Sequence, residues 1–316
     1  MLSRTADHLY WMGRYIERAE NLARMLEVNQ SMALLPQSQE AVEQAWIATL
    51  TITGMKEPFL KRQLPVRPYE VLSFIVLDRD NAGSIYNCIR AARENARAVR
   101  GALTSEIWET INATWLEMRS TGERQLAELD TAVLFEWVKQ RAHLARGVIH
   151  GTMLRDLAWH FTWLGTTLER ADSTARILDV KYHLLLPRGE EAGGLTDYYQ
   201  WSALLNSVSA FEIYRRVYRD LITPRRVAEL LILREDMPRS LHYCISQAHR
   251  HLTAVGNHKS AETLRRAGEL QASLHYGRIE DVVALGMHEY LTKFIGRVRD
   301  LGECVAQDFL VSGAGD

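Results

Sequence analysis

The chain has 316 residues, 36.2 kDa, with 38 Lys+Arg against 39 Asp+Glu and a formal charge of −1. That near-neutral balance argues against a phosphate-backbone binder, so no nucleic-acid partner is expected. With 47% apolar and 24% charged residues the chain is not disordered, and its length allows a sizeable core.

The first segment reads as a long helix over about Arg4–Met32. Its apolar face runs Leu9, Met12, Ile16, Ala19, Ala23, Leu26 in steps of three and four. Helices are predicted next near 40–55, from Pro68, from Ser84 to about Arg100, and near 105–126 and 131–147. Proline suits a first turn, Ser84 a cap and Gly101 a stop. Phe74-Ile75-Val76-Leu77 resembles a strand, but Leu230-Leu231-Ile232-Leu233 further on favours helix. Later helices are expected near 197–219, 240–254, 259–275 and 279–310. None of the seven prolines falls between Pro68 and Pro187, as a helical chain requires. The fold class is all-α.

The order of these segments repeats. Shifted by 152 positions, HLYWMGRYIERAENLARMLEV lies over HFTWLGTTLERADSTARILDV with 10 of 21 residues identical. Shifted by 156, residues 68–99 lie over 224–255 with 10 of 32 identical, including Pro68/Pro224, Ser84/Ser240 and Cys88/Cys244. Trp46/Trp201 is a third match. Leu34-Leu35-Pro36 matches Leu185-Leu186-Pro187, and a four-residue insertion is placed in 187–194. The expectation is one body over 1–316. It would hold two tandem helical-bundle repeats, 1–150 and 151–316, related by a pseudo-twofold axis with the first helix of each at the centre.

Repeat-shared residues surround the first helix instead of lining one stripe, which implies contacts on several sides. Gly13 and Gly165 each cost about 1 kcal/mol in a helix interior, and keeping that cost twice points to close backbone approach. Glu20/Arg24 and Asp172/Arg176 are favourable i,i+4 pairs. Glu17 and Arg18 are adjacent and point about 100° apart, so each needs an outside partner. A pseudo-twofold would let Glu17 meet Arg170 or Arg176, and Glu169 meet Arg18 or Arg24. Such a cluster either fixes packing or forms a polar pocket in which guanidiniums grip a carboxylate.

WMGRYIERAENLAR, LGTTLERADSTARILDV, RGVIHGTMLRDLAWHF and LDRDNAGSIYNCIRAARENARAVRG together resemble the bacterial Alpha-E family, which is named for its Glu-Arg motif. The resemblance covers essentially the whole chain. The family is typically encoded beside circularly permuted ATP-grasp proteins and transglutaminase-like proteases. The resemblance therefore implies an ATP-grasp partner, a transglutaminase-like protease as a second one, and work on a small peptide or carboxylate ligand. It brings forward Glu17 with Arg18 and Glu169 with Arg170; Arg14, Arg24 and Arg176 on the same two helices, and Arg97, join them as ligand-binding candidates. It also brings forward Arg155 with Asp156, and Asp80 with Arg93, Glu94 and Asn95. Thr166-Thr167 stands where Arg14-Tyr15 would repeat, a departure from the pattern.

Other groupings read as structure. His242/His249 and Cys244/His251 fall on two helix faces, and one metal site would need ligands from other elements, so no metal is expected. His143 and His150, seven apart, are treated the same way. His8 and His160 read as hydrogen-bonded core residues, and Trp11, Trp46, Trp163 and Trp201 as core. Arg90, Arg93, Arg97 and Arg100 form a basic stripe absent from the second repeat, either a salt-bridged face or a docking surface. No GxGxxG, Walker loop, GxSxG or HExxH occurs, so no cofactor is expected. Three cysteines, no apolar leader and a longest uncharged apolar stretch of 14 residues (Tyr198–Phe211) point to a cytoplasmic protein off the membrane. The leading expectation is a helical accessory or co-catalytic component of a peptide ligase. The alternatives are an amide-forming or group-transfer enzyme using a Glu/Arg pocket, or a scaffold.

Overall fold

The computed structural model describes residues 1–33, 38–122, 126–128, 130–184 and 195–310. Pro36, Pro187 and the insertion placed at 187–194 lie outside them. The described residues are helical, with no strand among them. In chain order the helices are α1 (Ser3–Ala33), α2 (Gln39–Ile52), α3 (Lys56–Leu60), α4 (Pro68–Val76), α5 (Ile85–Ala98), α6 (Ser105–Thr121) and α7 (Thr131–Thr152). Then come α8 (Leu157–Leu184), α9 (Leu195–Ser207), α10 (Phe211–Tyr218), α11 (Pro224–Ala228), α12 (Leu241–Val255), α13 (Ala261–His275), α14 (Ile279–Leu285) and α15 (Met287–Phe309).

Local chemistry sets the helix starts. Pro68 and Pro224 occupy first turns, and Thr223 Oγ1 accepts from the Arg226 amide. Ser84 and Ser240 cap α5 and α12, each hydroxyl accepting an amide three residues on and donating to a carbonyl six residues back. Residues 74–76 are helical in α4, and Glu229–Leu233 forms a π-helical turn after α11.

Two expected helices are broken. The one near 197–219 stops at Ser207 and resumes at Phe211, across Ser209 with φ 53°. The one over 279–310 stops at Leu285 and resumes at Met287 around Gly286, φ 91°. A positive φ cannot continue a right-handed helix, and only glycine adopts it freely. The short helix α3 was not foreseen. The junction expected at 150/151 falls in the last turn of α7.

α1 and α8 cross at the centre of the molecule. A Cβ on Gly13 would collide with the Thr162 carbonyl, and one on Gly165 with the Tyr10 carbonyl. This is the close backbone approach that the two glycines implied. α5 and α7 flank α1, while α12 and α15 flank α8. α2 packs on α8, and α9 packs on α1, so elements of each half reach the other half's central helix. The N-terminal half of α1, with Leu9 and Met12, enters one hydrophobic core together with α8, α12 and α15. Its C-terminal half, with Ala19, Leu22 and Leu26, enters another with α2, α4, α5, α6 and α7. Trp46 and Trp201 are buried, whereas Trp11 and Trp163 are only half-buried. No helix among the described residues is long and apolar enough to cross a membrane.

Candidate functional site

The polar centre lies where α1 meets α8. Arg170 donates to Glu17 through Nε at 2.9 Å and Nη2 at 2.8 Å. Arg18 donates to Glu169 through Nε at 2.6 Å and Nη2 at 3.0 Å. Each pair is a two-pronged guanidinium–carboxylate contact between helices, the geometry in which such pairs are strongest. Neighbouring Glu17 and Arg18 therefore serve opposite partners, as their 100° separation demands.

The two glutamates differ in their other ligands. Glu169 also accepts from Arg14 Nε at 2.7 Å. Arg14 donates to the Tyr10 hydroxyl at 3.1 Å and lies 5.1 Å from the Trp11 ring centroid. The second half has no Arg14, because Thr166 stands there, buried and donating to the Thr162 carbonyl. Glu17 instead takes Arg146 from α7 at 3.0 Å and Arg239 from the turn before α12 at 3.2 Å. Both also pair with Glu20, and Arg239 donates to Asn21 at 2.9 Å. The sequence reading missed both arginines. A trace existed for each: Arg239 sits where the matching sequence block has Gly83, and Arg146 opens the RGVIHGTMLRDLAWHF segment.

Glu17 is 0% and Glu169 4% exposed. Burial alone would raise their pKa values, since it penalises the charged form. At Glu17 the charges of Arg170, Arg146 and Arg239 outweigh burial and hold the pKa at about 2. At Glu169 Arg14 and Arg18 do the same, again to about 2. Glu20 is likewise held well below the usual range: burial raises it, but Arg239, His143, Arg146 and Arg24 prevail. A carboxylate this acidic is a weak base at neutral pH. Burial pushes the thiols of Cys88 and Cys244 up to about 12, leaving them protonated and inert.

Arg24 and Arg176 have another task. Arg24 pairs with Glu20 at 2.8 Å and donates to the Ser207 carbonyl at 3.2 Å and to Ser209 Oγ at 2.9 Å, where α9 ends. Arg176 pairs with Asp172 at 2.7 Å and donates to the Ile52 carbonyl at 3.2 Å, where α2 ends. Each guanidinium satisfies a carbonyl that a helix C-terminus leaves open.

Beside the Glu169 side of this network lies a cleft of about 830 Å³. α1 and α8 form its floor. The turns around 52–55 and 80–83 and helix α15 form its walls. Its charged lining is Arg14, Arg18, Arg62, Arg176 and Arg299 with Asp80, Glu169, Asp172 and Glu303. Glu17, Arg170 and Arg24 are absent from that lining. Arg18, 30% exposed at its side chain, is the network's most open cation and also lies over Tyr15. Arg62 stands on the wall 3.4 Å from Asp78 and 3.5 Å from Asp80.

The remaining candidates stay apart from the cleft. Arg155 is exposed at the start of α8, over the Trp159 ring at 4.6 Å, and Asp156 caps that helix through the Ala158 amide at 2.9 Å. Arg93 donates to Asn112 at 3.1 Å, Arg97 pairs with Glu94 at 2.6 Å, and Arg100 lies over Trp108. Three of the four arginines of the basic stripe are thus paired or stacked, and Arg90 is exposed. His8 hydrogen-bonds Asn95 at 2.8 Å, and His160 pairs with His251 at 3.0 Å. Cys244 turns to the Pro238 carbonyl and His242 to that of Leu233, so the four groups of α12 do not converge.

Comparison with known proteins agrees with this Glu-Arg centre. Over 316 aligned positions the chain is 25% identical to uncharacterized proteins of Mycobacterium bovis and Mycobacterium tuberculosis. The match takes in 93% of this chain but 35% of each relative, so the chain spans about a third of their length. No solved structure matches it. Residues 1–310 match the Alpha-E family, described as a predicted alpha-helical domain with a conserved ER motif, and the chain belongs to that family.

Proposed function

We propose that this protein is a helical accessory component that works with an ATP-grasp peptide ligase, holding a small peptide or other carboxylate ligand in the cleft beside Arg18. The observation that carries this reading is the lining of that cleft. Five arginines interleaved with four carboxylates suit a ligand bearing both a carboxylate and an amine. The chain's family membership and its lack of a nucleotide motif support an ATP-using partner.

An independent enzyme using Glu17 or Glu169 as a base is the weaker reading. Both carboxylates titrate at about 2 and are saturated by arginines, which suits them to holding position rather than accepting protons. A pure scaffold accounts for Glu17, Arg170, Arg24 and Arg176 but leaves the arginine-lined cleft without a role.

The test is to purify the full chain with a circularly permuted ATP-grasp protein of the same organism and follow co-elution and ADP release with short acidic peptides. Co-elution, and turnover that rises when this protein is added, is the expected result. No association together with unchanged ligase turnover would overturn the proposal.

A further inference from the structure

Away from the cleft, Glu235, His242 and His275 come together from three separate elements. They are the turn after the π-helical segment, the first turn of α12 and the last residue of α13. One ligand atom of each lies within 4.8 Å of the other two. His242 is 3% exposed. Its Nδ1 lies 2.9 Å from the Leu233 carbonyl oxygen. A carbonyl can only accept, so Nδ1 carries a proton and Nε2 is left as the coordinating nitrogen. That Nε2 is buried and has no hydrogen-bond partner. Leaving a buried polar atom unmatched costs about 1–3 kcal/mol. An imidazole anchored through one nitrogen on a backbone carbonyl, which keeps the other for an ion, is the usual state of a metal-bound histidine.

We propose that Glu235, His242 and His275 form a binding site for a divalent transition-metal ion of the Zn²⁺ class. Two imidazoles and one carboxylate are the donor set that such an ion accepts with three protein ligands. Ligand atoms about 2.0–2.1 Å from a tetrahedral ion stand about 3.3 Å apart. The trio therefore has to close by about 1.5 Å at most. Glu235 and His275 are exposed, with the His275 ring edge-on to those of His242 and Tyr276, while the buried, anchored His242 supplies the fixed point. Their exposure also leaves the fourth position to water. The nearby cation Arg234 is neutralised by Asp236, with Nη2 to carboxylate oxygen at 2.9 Å.

The sequence match at a shift of 156 adds an independent argument. Glu235 and His242 correspond to Arg79 and Tyr86. There the Arg79 guanidinium lies 5.3 Å from the Tyr86 ring centroid, a cation over an aromatic face with no metal donor. Only the second half carries the ligands, as a site specific to that half requires.

The experiment uses the untagged full chain, titrated with ZnCl₂ and, for its visible spectrum, with CoCl₂. One equivalent is expected to bind, with visible Co²⁺ bands of the four-coordinate type. His275→Ala and Glu235→Gln alter exposed positions, so each is expected to keep the wild-type Tm in chelator while weakening Zn²⁺ binding by about tenfold or more. Absence of a bound equivalent overturns the site. So does an equivalent whose affinity and Co²⁺ spectrum are unchanged in both variants, since that ion would sit elsewhere.

Discussion

Arg170 holds Glu17 through two hydrogen bonds, 2.9 and 2.8 Å long, across the contact between α8 and α1. Glu17 is fully buried, and Arg146 and Arg239 hold the same carboxylate. One anion thus organises three cations drawn from three elements. Removing a cation leaves the anion with two others. Removing the anion leaves Arg170 without a carboxylate and Arg146 and Arg239 sharing Glu20 with Arg24.

An ordering of mutant stabilities follows from that imbalance. Glu17→Ala is expected to destabilise by about 3–5 kcal/mol, the range for stranding buried charge. Arg170→Ala is expected to cost less, because Arg146 and Arg239 still neutralise Glu17. Urea unfolding of both variants measures the order. Equal losses, or a greater loss for Arg170→Ala, would contradict the network described.

The helix crossing gives a second expectation. Alanine is normally the better helix former, yet its Cβ at position 13 or 165 would meet a backbone carbonyl that cannot rotate away. Gly13→Ala and Gly165→Ala should each cost about 1–3 kcal/mol, as overpacking does. A surface control, Gly147→Ala, meets nothing within 4 Å and should leave stability equal or slightly higher. Denaturant midpoints of the three variants would decide this.

Acid should weaken the protein in two stages. His251 is held at about 4 by burial, His160 and Arg250, against an ordinary 6.5. The unfolded chain then binds the extra proton first, so this contribution is complete above about pH 6.5 and drains away towards pH 4. Glu17 and Glu169 titrate at about 2 folded against 4.5. Their larger contribution is complete above about pH 4.5 and is lost as pH falls towards 2. Unfolding free energy measured from pH 7 to pH 2.5 should show both declines. Glu169→Gln should flatten the lower one, and an unaltered lower slope in that variant would refute the assignment.

The rim of the cleft separates binding from folding. Arg62 and Arg299 line it, with their side chains 39% and 72% exposed. Arg62→Ala with Arg299→Ala should change stability by no more than about 0.5 kcal/mol, as exposed substitutions do. Affinity for a short acidic peptide, measured by calorimetry, should fall about tenfold or more. Unchanged affinity would remove the cleft as the ligand site.

Much of the fold was legible because helix signals act within a few residues. Ser84, Ser240, Thr223 and the prolines at 68 and 224 start the helices where their local chemistry requires, and the capping serines are at matched positions of the repeated blocks. Gly13 and Gly165 announced a close crossing by their cost alone. Gly286 carried a glycine signal like the stop at Gly101, whereas the break at Ser209 was not legible. Serine is an ordinary helix residue until tertiary packing turns it to positive φ, and the Arg24 that meets the broken end lies 185 residues away.

The sequence by itself determined the helical class, most helix starts, and the need of Glu17, Arg18, Glu169 and Arg170 for partners outside their own turns. Only the tertiary structure decided which partners they take. Arg18 and Arg170 face the cross-helix glutamates, while Arg24 and Arg176 turn to the open ends of α9 and α2. It also brought in Arg146 and Arg239, 129 and 222 residues from Glu17, and assembled Glu235, His242 and His275 from three elements. The physical reason is range. Hydrogen-bond and capping rules act over about four residues of chain. The partners of a buried charge are chosen by how whole helices pack, because only packing decides which side chains leave water together.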